Sequence, residues 1–293
     1  MKETLSIKLF KTLQKGKEQL GKDAFHSISR FVESQRTEEH SFKDKSGKAD
    51  LYYTLFGWAL AYILGIKMTQ KKMNLYLSQQ NTNELDLIHY AAYMRCRMIK
   101  QLMESGKAGL LLQSLFSGKI RALDTFEGIP HNDPQSPYTQ FIWLSLLEDA
   151  GTLFNVPDLK FESSLEGYHS PNGGFMNTKD GLTATTNATV AALAVRGQSL
   201  GYVENDDILY LRDQQEISGG FAAAKASPVP DLLSTATSLF MLSCYNVTPR
   251  YPARDFIEAH WLDSGGFSAT LLEDKSDVEY LFYGMLALGT ITN

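Results

Sequence analysis

A repeat of 46 residues is the feature that most limits what this chain can fold into. Three segments in its second half align without gaps, and each contains the motif Gly-Gly-Phe followed by a loop and an apolar stretch. The phenylalanines are Phe175, Phe221 and Phe267, so the motifs recur at a constant spacing of 46 residues. A repeat of about 20–50 residues is typical of folds that stack one supersecondary unit several times. The register therefore predicts a repeat architecture.

The residues of each repeat predict a hairpin of two helices. A short amphipathic segment such as Arg254–Leu262 precedes the glycines, which can end a helix in a left-handed cap. A longer and more apolar segment such as Leu232–Cys244 follows the loop, with apolar residues at helical spacing. Asp231 and Asp277 stand ten residues after their phenylalanines, where the second helix needs an N-cap acceptor. We therefore expect an outer, wetter helix and an inner, drier helix in each repeat.

The same order extends into the first half of the chain without the glycines. Phe42 takes the anchor position there, and Asp50 and Asp86 precede apolar helical segments. The chain is long enough for about six repeats of this size. We expect an N-terminal helical extension over 1–26 and repeats near 27–66, 67–106, 107–151, 157–197, 204–244 and 252–290.

Six such hairpins predict an all-α fold, an α/α toroid or (α/α)6 barrel, as a single domain over 1–293. A closed ring would bury every inner helix and leave a central cavity. Helices about 10 Å apart cannot fill that centre unless their inward side chains are large. The predicted inner helices do contain large aromatic residues, and many are tyrosines. Because a buried hydroxyl needs a partner, we expect these tyrosines to line a pocket reached by water or by a ligand head group.

Composition argues against several classes of function. The net charge of −5 provides no basic surface, which a nucleic-acid-binding protein needs to displace counterions. The two cysteines, Cys96 and Cys244, are far apart, which predicts reduced thiols in a cytoplasmic protein. The N-terminal segment lacks the apolar core of a signal peptide. The longest apolar stretch, Leu55–Ile66, is too short to span a bilayer, although transient membrane contact stays open.

Three segments resemble the repeats of the prenyltransferase β-subunit and squalene-hopene (terpenoid) cyclase superfamily. The first is LRDQQEISGGF, which ends at Phe221. The second is PDLLSTATSLFML at Pro230–Leu242, which is similar to the inner-helix starts of that group. The third is EDKSDVEYLFYGMLALG at Glu273–Gly289, which is similar to the last inner helix of protein prenyltransferase β-subunits. The resemblance implies an α/α toroid with a funnel-shaped, aromatic cavity that takes an isoprenoid.

The catalytic signatures of this superfamily are missing from the sequence. Class II terpene cyclases use a DxDD acid to protonate an alkene, whereas this chain has only Asp206-Asp207, on a predicted outer helix. Protein prenyltransferases bind zinc through an Asp, a Cys two residues later and a His. Here leucines follow Asp231, Tyr280 stands at the His position, and Cys244 lies about 20 Å further along its helix. We therefore expect no zinc and no other cofactor, and the catalytic residues stay unknown.

Ten residues on the predicted inner helices are candidates for lining the cavity. Their aromatic rings could hold an apolar chain, and Arg97 or Arg95 could bind a diphosphate. The structural alternatives are core packing for the aromatic residues, N-capping for the aspartates and a helix–helix contact for the arginine. We expect at least three of the five tyrosines among the candidates to line one central cavity. The ten candidates are Tyr52, Tyr53, Phe56, His89, Tyr90, Tyr93, Arg97, Asp231, Asp277 and Tyr280.

Two functions of different classes fit these observations. The first is a prenyltransferase- or cyclase-like enzyme that handles an isoprenoid or another apolar lipid at a non-standard site. The alternative is a non-catalytic toroid that binds a lipid or a protein, and the missing signatures favour it. A third possibility is another chemistry of toroid folds, such as polysaccharide processing. An open aromatic cavity would support the first function, and a cavity filled by large side chains would support the second.

Overall fold

Helices dominate the computed structural model, which describes residues 3–104, 135–153, 162–199 and 205–291. The predicted repeat near 107–151 lies mostly outside the described residues, as does the start of the repeat near 157–197. The helices are α1 Leu5–Glu18, α2 Lys22–Gln35, α3 Leu51–Leu64, α4 Gln70–Ser78, α5 Leu87–Glu104, α6 Pro137–Leu153, α7 Thr186–Ser199, α8 Asn205–Asp213, α9 Leu232–Cys244, α10 Arg254–Ala259 and α11 Val278–Thr290, with a 3-10 turn at Thr82–Glu84.

Six of these helices form the core and are called the core helices: α3, α5, α6, α7, α9 and α11. Each packs against two others of the set, in the order α3, α5, α6, α7, α9, α11 and back to α3. The shorter helices pack on their outer side, with α2 against α3, α4 against α5, α8 against α7 and α9, and α10 against α11. The alternation of outer and inner helices predicted from the repeat is therefore present in the described residues. Within these residues, no helix is long and apolar enough to cross a membrane.

The core helices begin where the sequence predicts. The carboxylates of Asp50, Asp231 and Asp277 accept hydrogen bonds from the backbone N–H three residues later, at 3.0, 2.7 and 2.9 Å. Asp86 accepts the equivalent bond at 2.8 Å. An N-cap acceptor satisfies a donor that the first helical turn leaves unpaired. The prediction that inner helices begin near these four aspartates is confirmed.

The anchor phenylalanines occupy equivalent, buried positions, as predicted. Phe175, Phe221 and Phe267 are at most 2% exposed. Each pairs through an antiparallel bridge with the residue six positions earlier, and its backbone N–H donates to a hydroxyl of the following segment. Two short antiparallel pairs complete these loops: β1 Phe42–Lys43 with β2 Ala49–Asp50, and β3 Phe221–Ala222 with β4 Pro230–Asp231.

The glycines recur at a constant spacing because each lies in a turn. The sequence analysis expected them to cap the preceding helix, and that expectation is wrong. Gly173, Gly219 and Gly265 have φ angles of 87°, 92° and 91°, a region that favours glycine. Gly219 closes a turn onto the Glu216 carbonyl, six residues after α8 has ended. In the first repeat His40 takes this position with a φ of 63°.

Adjacent repeats are joined at the ends where the core helices begin. The backbone N–H of Thr186 donates to the Ala223 carbonyl at 2.8 Å, and that of Leu232 donates to Ala269 at 2.9 Å. Both donors and both acceptors are 46 residues apart, so one bond recurs between successive repeats. The loops that precede the core helices therefore form a continuous surface in this part of the molecule.

Helix α1 lies across the opposite ends of the core helices. The Lys17 ammonium donates to the Ile63 carbonyl at 2.8 Å, and Gln19 donates to the carbonyl of Leu288. Helix α1 approaches α11 so closely that the contact requires a glycine, because a Cβ on Gly289 would lie 1.8 Å from the Thr12 carbonyl oxygen. The predicted N-terminal extension is thus an integral part of the packed structure.

Candidate functional site

An apolar cavity of about 190 Å³ lies among the core helices. All six core helices and α1 contribute side chains to its wall. Small residues leave the space open, since Ala59, Ala91 and Ala92 are buried and line it. Aromatic side chains form much of the remaining wall: Phe10, Tyr52, Phe56, Tyr138, Phe141, Phe240, Phe282 and Tyr283.

A cluster of phenols and one carboxylate lies at the end of the cavity where the core helices begin. The Tyr52 hydroxyl donates a 2.7 Å hydrogen bond to Oε1 of Glu279. Burial raises the pKa of Glu279, and the charge of Asp277 adds to the rise. Burial also raises the pKa of the Tyr52, Tyr138 and Tyr283 phenols, and the Glu279 charge acts on all three. The cluster therefore favours neutral, protonated groups beside the apolar wall.

A second polar group lies at the other end, where α1 covers the cavity. The Arg95 guanidinium donates to the Ser145 hydroxyl at 2.6 Å and lies 3.7 Å from Asp149. Asp149 also accepts from Thr4 at 3.1 Å and from Ser6 at 2.6 Å. Burial raises the pKa of Asp149 to about 6, against the opposing charge of Arg95. The Arg95 charge is thus already compensated, which leaves little attraction for a diphosphate.

Two of the ten predicted candidates, Tyr52 and Phe56, line this cavity. Tyr90 is buried in a separate cluster, 6.4 Å from Trp143 between ring centroids. Tyr93 and Arg97 stack on each other at 5.9 Å, and neither is part of the cavity wall. These positions follow from the helix register, since a shift of one residue turns a side chain by about 100°.

The remaining candidates lie where the core helices begin. His89 contacts Asp86 at 2.9 Å and Asp50 at 3.5 Å. Asp231 and Asp277 act as N-caps, which was their structural alternative. The Lys45 ammonium lies 4.9 Å from the centre of the Tyr280 ring, and Tyr53 also lies outside the cavity wall. Of the five predicted tyrosines only Tyr52 lines the cavity, so the expectation of at least three is not met.

Two residues of the cluster that the sequence analysis did not single out, Tyr138 and Glu279, share the register of the predicted candidate Tyr52. Tyr52, Tyr138 and Glu279 are each the second residue of a core helix. An alignment of the helix starts on their N-caps would have placed these three together. The start of α6 was not recognised as equivalent to the other helix starts, because no aspartate directly precedes α6.

The zinc ligands of protein prenyltransferases have no counterpart among the described residues, where no group of three His, Cys, Asp or Glu could hold a metal ion. Asp207 lies on outer helix α8, as predicted, and is bound to Arg196 and His169. What the cavity offers chemically is an aromatic and aliphatic wall with a carboxyl–phenol cluster at one end. Comparison of the chain with protein-family models and with curated proteins found no match to either.

Proposed function

We propose that the core helices form a closed α/α toroid of the prenyltransferase β-subunit and terpenoid cyclase type. The cyclic order of helix contacts supports this arrangement, because α11 returns to α3. The recurrent N-caps and the 46-residue hydrogen-bond register between repeats support it as well. A ring built from hairpins gives every inner helix two neighbours and leaves space on the axis.

We infer that the central cavity binds a small apolar molecule or the apolar end of a lipid or isoprenoid. The observation that carries the proposal is a cavity bordered by all six core helices with an aromatic wall. Its volume of about 190 Å³ exceeds the cavity of about 150 Å³ that binds benzene, but is below the range of about 300–1,000 Å³ of pockets for larger ligands. A short branched or cyclic group is the occupant that this volume accommodates.

The chemistry of the cavity suggests one catalytic role within this proposal. A carboxyl group with a raised pKa beside an apolar wall can remain protonated near neutral pH, as a general acid requires. Burial and the charge of Asp277 raise the pKa of Glu279, which shifts this carboxyl group toward the protonated form. The Tyr52 hydroxyl, on a residue that lines the cavity, donates to it. A polar ligand group would bind at this end, where a neutral or cationic head is favoured over an anionic one.

Binding of toluene, measured by calorimetry and by the shift of the thermal unfolding midpoint, tests the proposal. We expect saturable binding of toluene. Ala92→Leu should abolish it, because Ala92 is a buried residue of the cavity wall and a leucine there would fill the cavity. Ala226→Leu adds the same atoms to an exposed loop and serves as the matched control. Absence of toluene binding to the unmodified protein, or equal binding to Ala92→Leu, would reject the cavity as a ligand site.

The second candidate function is a non-catalytic scaffold, and one observation favours it. The polar groups at both ends of the cavity already satisfy one another, as Tyr52 does with Glu279 and Arg95 with Ser145. A site of this kind does not require a ligand to complete its hydrogen bonds. Native mass spectrometry of the purified protein separates the two functions, because a retained lipid mass supports the ligand-binding proposal.

A further inference from the structure

Exposed apolar side chains are concentrated at one end of the molecule. Among the described residues, seven large hydrophobic side chains are exposed, and four of them lie within the ten residues that precede a core helix. Leu182 is 94% exposed and Leu272 is 84% exposed, with Leu271 and Val229 less so. The other three are Leu75 on α4, Leu209 on α8 and Ile217 in the turn after α8.

These loops are neighbours in space. The loops that hold the four residues span 176–184, 222–230 and 268–276, and a fourth loop, 43–49, precedes α3. These four loops together are called the collar. The Thr186–Ala223 and Leu232–Ala269 hydrogen bonds connect the last three loops through the helix starts between them. Lys45 of the first loop lies 3.9 Å from Asp277, which follows the last loop directly. The collar is therefore one face, at the end of the cavity that holds Tyr52 and Glu279.

The charge of the collar is opposite to that of the whole chain. Its four loops contain six lysines and four acidic residues, a net charge of +2, whereas the chain carries −5. Lys48, Lys179, Lys225 and Lys275 are exposed, the last three in the loops that hold the apolar residues. The acidic residues Asp180, Glu273 and Asp274 are exposed in these loops as well. Lysine near exposed leucine suits an anionic membrane surface, where the charges contact head groups and the leucines enter the acyl boundary.

The composition of the collar distinguishes a membrane from a protein partner. Protein interfaces are enriched in aromatic residues, Met and Arg, and are depleted in Lys. The collar has six lysines, no arginine and no aromatic residue, and its one methionine, Met176, is buried. An exposed apolar patch with this composition is a poor protein interface but a suitable contact for lipid head groups.

We propose that the collar docks on the surface of an anionic lipid bilayer, with Leu182, Leu271 and Leu272 inserted at the head-group level. This inference rests on exposed loops and does not depend on ligand binding in the cavity. If both proposals hold, the cavity end marked by Tyr52 and Glu279 faces the membrane, and its apolar ligand is taken from the bilayer or released to it.

Flotation of the full chain with vesicles tests this proposal, with phosphatidylcholine alone compared with phosphatidylcholine mixed with phosphatidylglycerol. We expect binding to the mixed vesicles that weakens as salt is added, because salt screens exposed charges. Leu182→Asp combined with Leu272→Asp should reduce binding about tenfold or more, since it removes apolar contact and adds negative charge. Lys225→Glu combined with Lys275→Glu should also weaken binding, and mainly at low salt.

The matched control is Leu75→Asp combined with Leu209→Asp, which changes the net charge equally on outer helices. This control should bind vesicles like the unmodified protein, and thermal unfolding verifies that every variant is folded. Absence of binding to mixed vesicles, or an equal loss in the control, overturns the proposal. It is also overturned if the chain self-associates without vesicles and the collar variant is monomeric, which would make the collar a protein interface. Toluene binding that persists without vesicle binding would reject the collar proposal alone.

Discussion

The Tyr52 hydroxyl donates a 2.7 Å hydrogen bond to Glu279, and so connects the second residue of α3 with the second residue of α11. These residues are 227 positions apart, and the two helices belong to the first and last repeats. The edge-to-face contact of Phe56 with Phe282, at 5.0 Å between centroids, continues the same junction inside the cavity. The junction joins α3 and α11 by a partly buried polar bond and an aromatic contact inside the cavity.

Tyr52→Phe should lower the free energy of unfolding by about 1–3 kcal/mol, because it leaves a largely buried carboxyl oxygen without its donor. Urea denaturation provides the measurement. Tyr53→Phe is the control, since the adjacent Tyr53 hydroxyl has no hydrogen-bond partner among the described residues and its loss should cost little. In Glu279→Gln the amide oxygen still accepts from Tyr52, so the added effect of Tyr52→Phe should be smaller there. Equal effects in both backgrounds would show that the carboxylate does not depend on this bond.

The positions of helix starts and anchors were predictable from the sequence, because both depend on local chemistry. Asp231 and Asp277 are N-caps whose partner lies three residues away, and Phe221 stands two residues after Gly219, whose positive φ the turn requires. The cavity wall was less predictable. Helix α3 is apolar on nearly all sides, so its sequence pattern does not indicate which of Tyr52, Tyr53 and Phe56 points into the cavity.

Asp149 should make the stability of the protein fall as pH rises. Its folded pKa of about 6 lies above its ordinary value of 3.8, so the native state binds this proton more tightly than the unfolded state does. Stability from this group is complete below about pH 4 and is lost as pH rises through about 6, by about 3 kcal/mol. Asp149→Asn should abolish that change.

The measurement is the difference in unfolding free energy between the unmodified protein and Asp149→Asn at several pH values. The lowered pKa values of His40 and His260, both shifted mainly by burial, act in the opposite direction below about pH 6.5. They are present in both proteins and cancel in the difference. A difference that is constant from pH 4 to pH 8 would contradict the prediction.

Gly219→Ala should destabilise the protein more than Gly47→Ala. Both glycines have a positive φ, 92° and 84°, so an alanine at either costs about 1–2 kcal/mol in backbone strain. An added Cβ on Gly219 would lie 2.1 Å from the Pro252 carbonyl oxygen, whereas one on Gly47 would have no neighbour within 4 Å. We expect a further loss of about 1–3 kcal/mol at Gly219, measured by chemical denaturation. Equal losses would show that the contact with Pro252 yields without cost.

Phe221→Ala should reduce the free energy of unfolding by about 3–5 kcal/mol, the range for a buried phenylalanine. Its side chain is fully buried, and its backbone N–H donates to Thr235 at 2.8 Å. Phe175→Ala and Phe267→Ala should give similar values if the repeats are energetically equivalent. Leu209→Ala on the exposed face of α8 is the control, and a comparable loss there would undermine the anchor role.

The limits of sequence reasoning also appear at His40 and at α6. His40 takes a backbone conformation that the later repeats give to glycine, and its carbonyl accepts from the Trp58 indole at 2.6 Å. The local sequence does not indicate that His40 adopts this conformation. The hydrogen bonds that stabilise it come from Trp58 and Thr69, 18 and 29 positions further along the chain. The role of Tyr138 on α6 depends in the same way on contacts between distant repeats.

Asp207→Ala should be among the most destabilising changes outside the cavity, with a loss of about 3–5 kcal/mol. Asp207 is 1% exposed and accepts from Arg196 at 2.5 Å and from the His169 ring at 2.9 Å. Removing it leaves the partly buried Arg196 charge without this partner, which is the costly way to break a buried ion pair.

Asp206→Ala removes the exposed neighbour and should have little effect. Toluene binding by the folded fraction should be unchanged in both variants, because Asp207 holds an outer helix and does not line the cavity. Loss of toluene binding from a fully folded Asp207→Ala protein would show that the acidic pair has a role in the site after all.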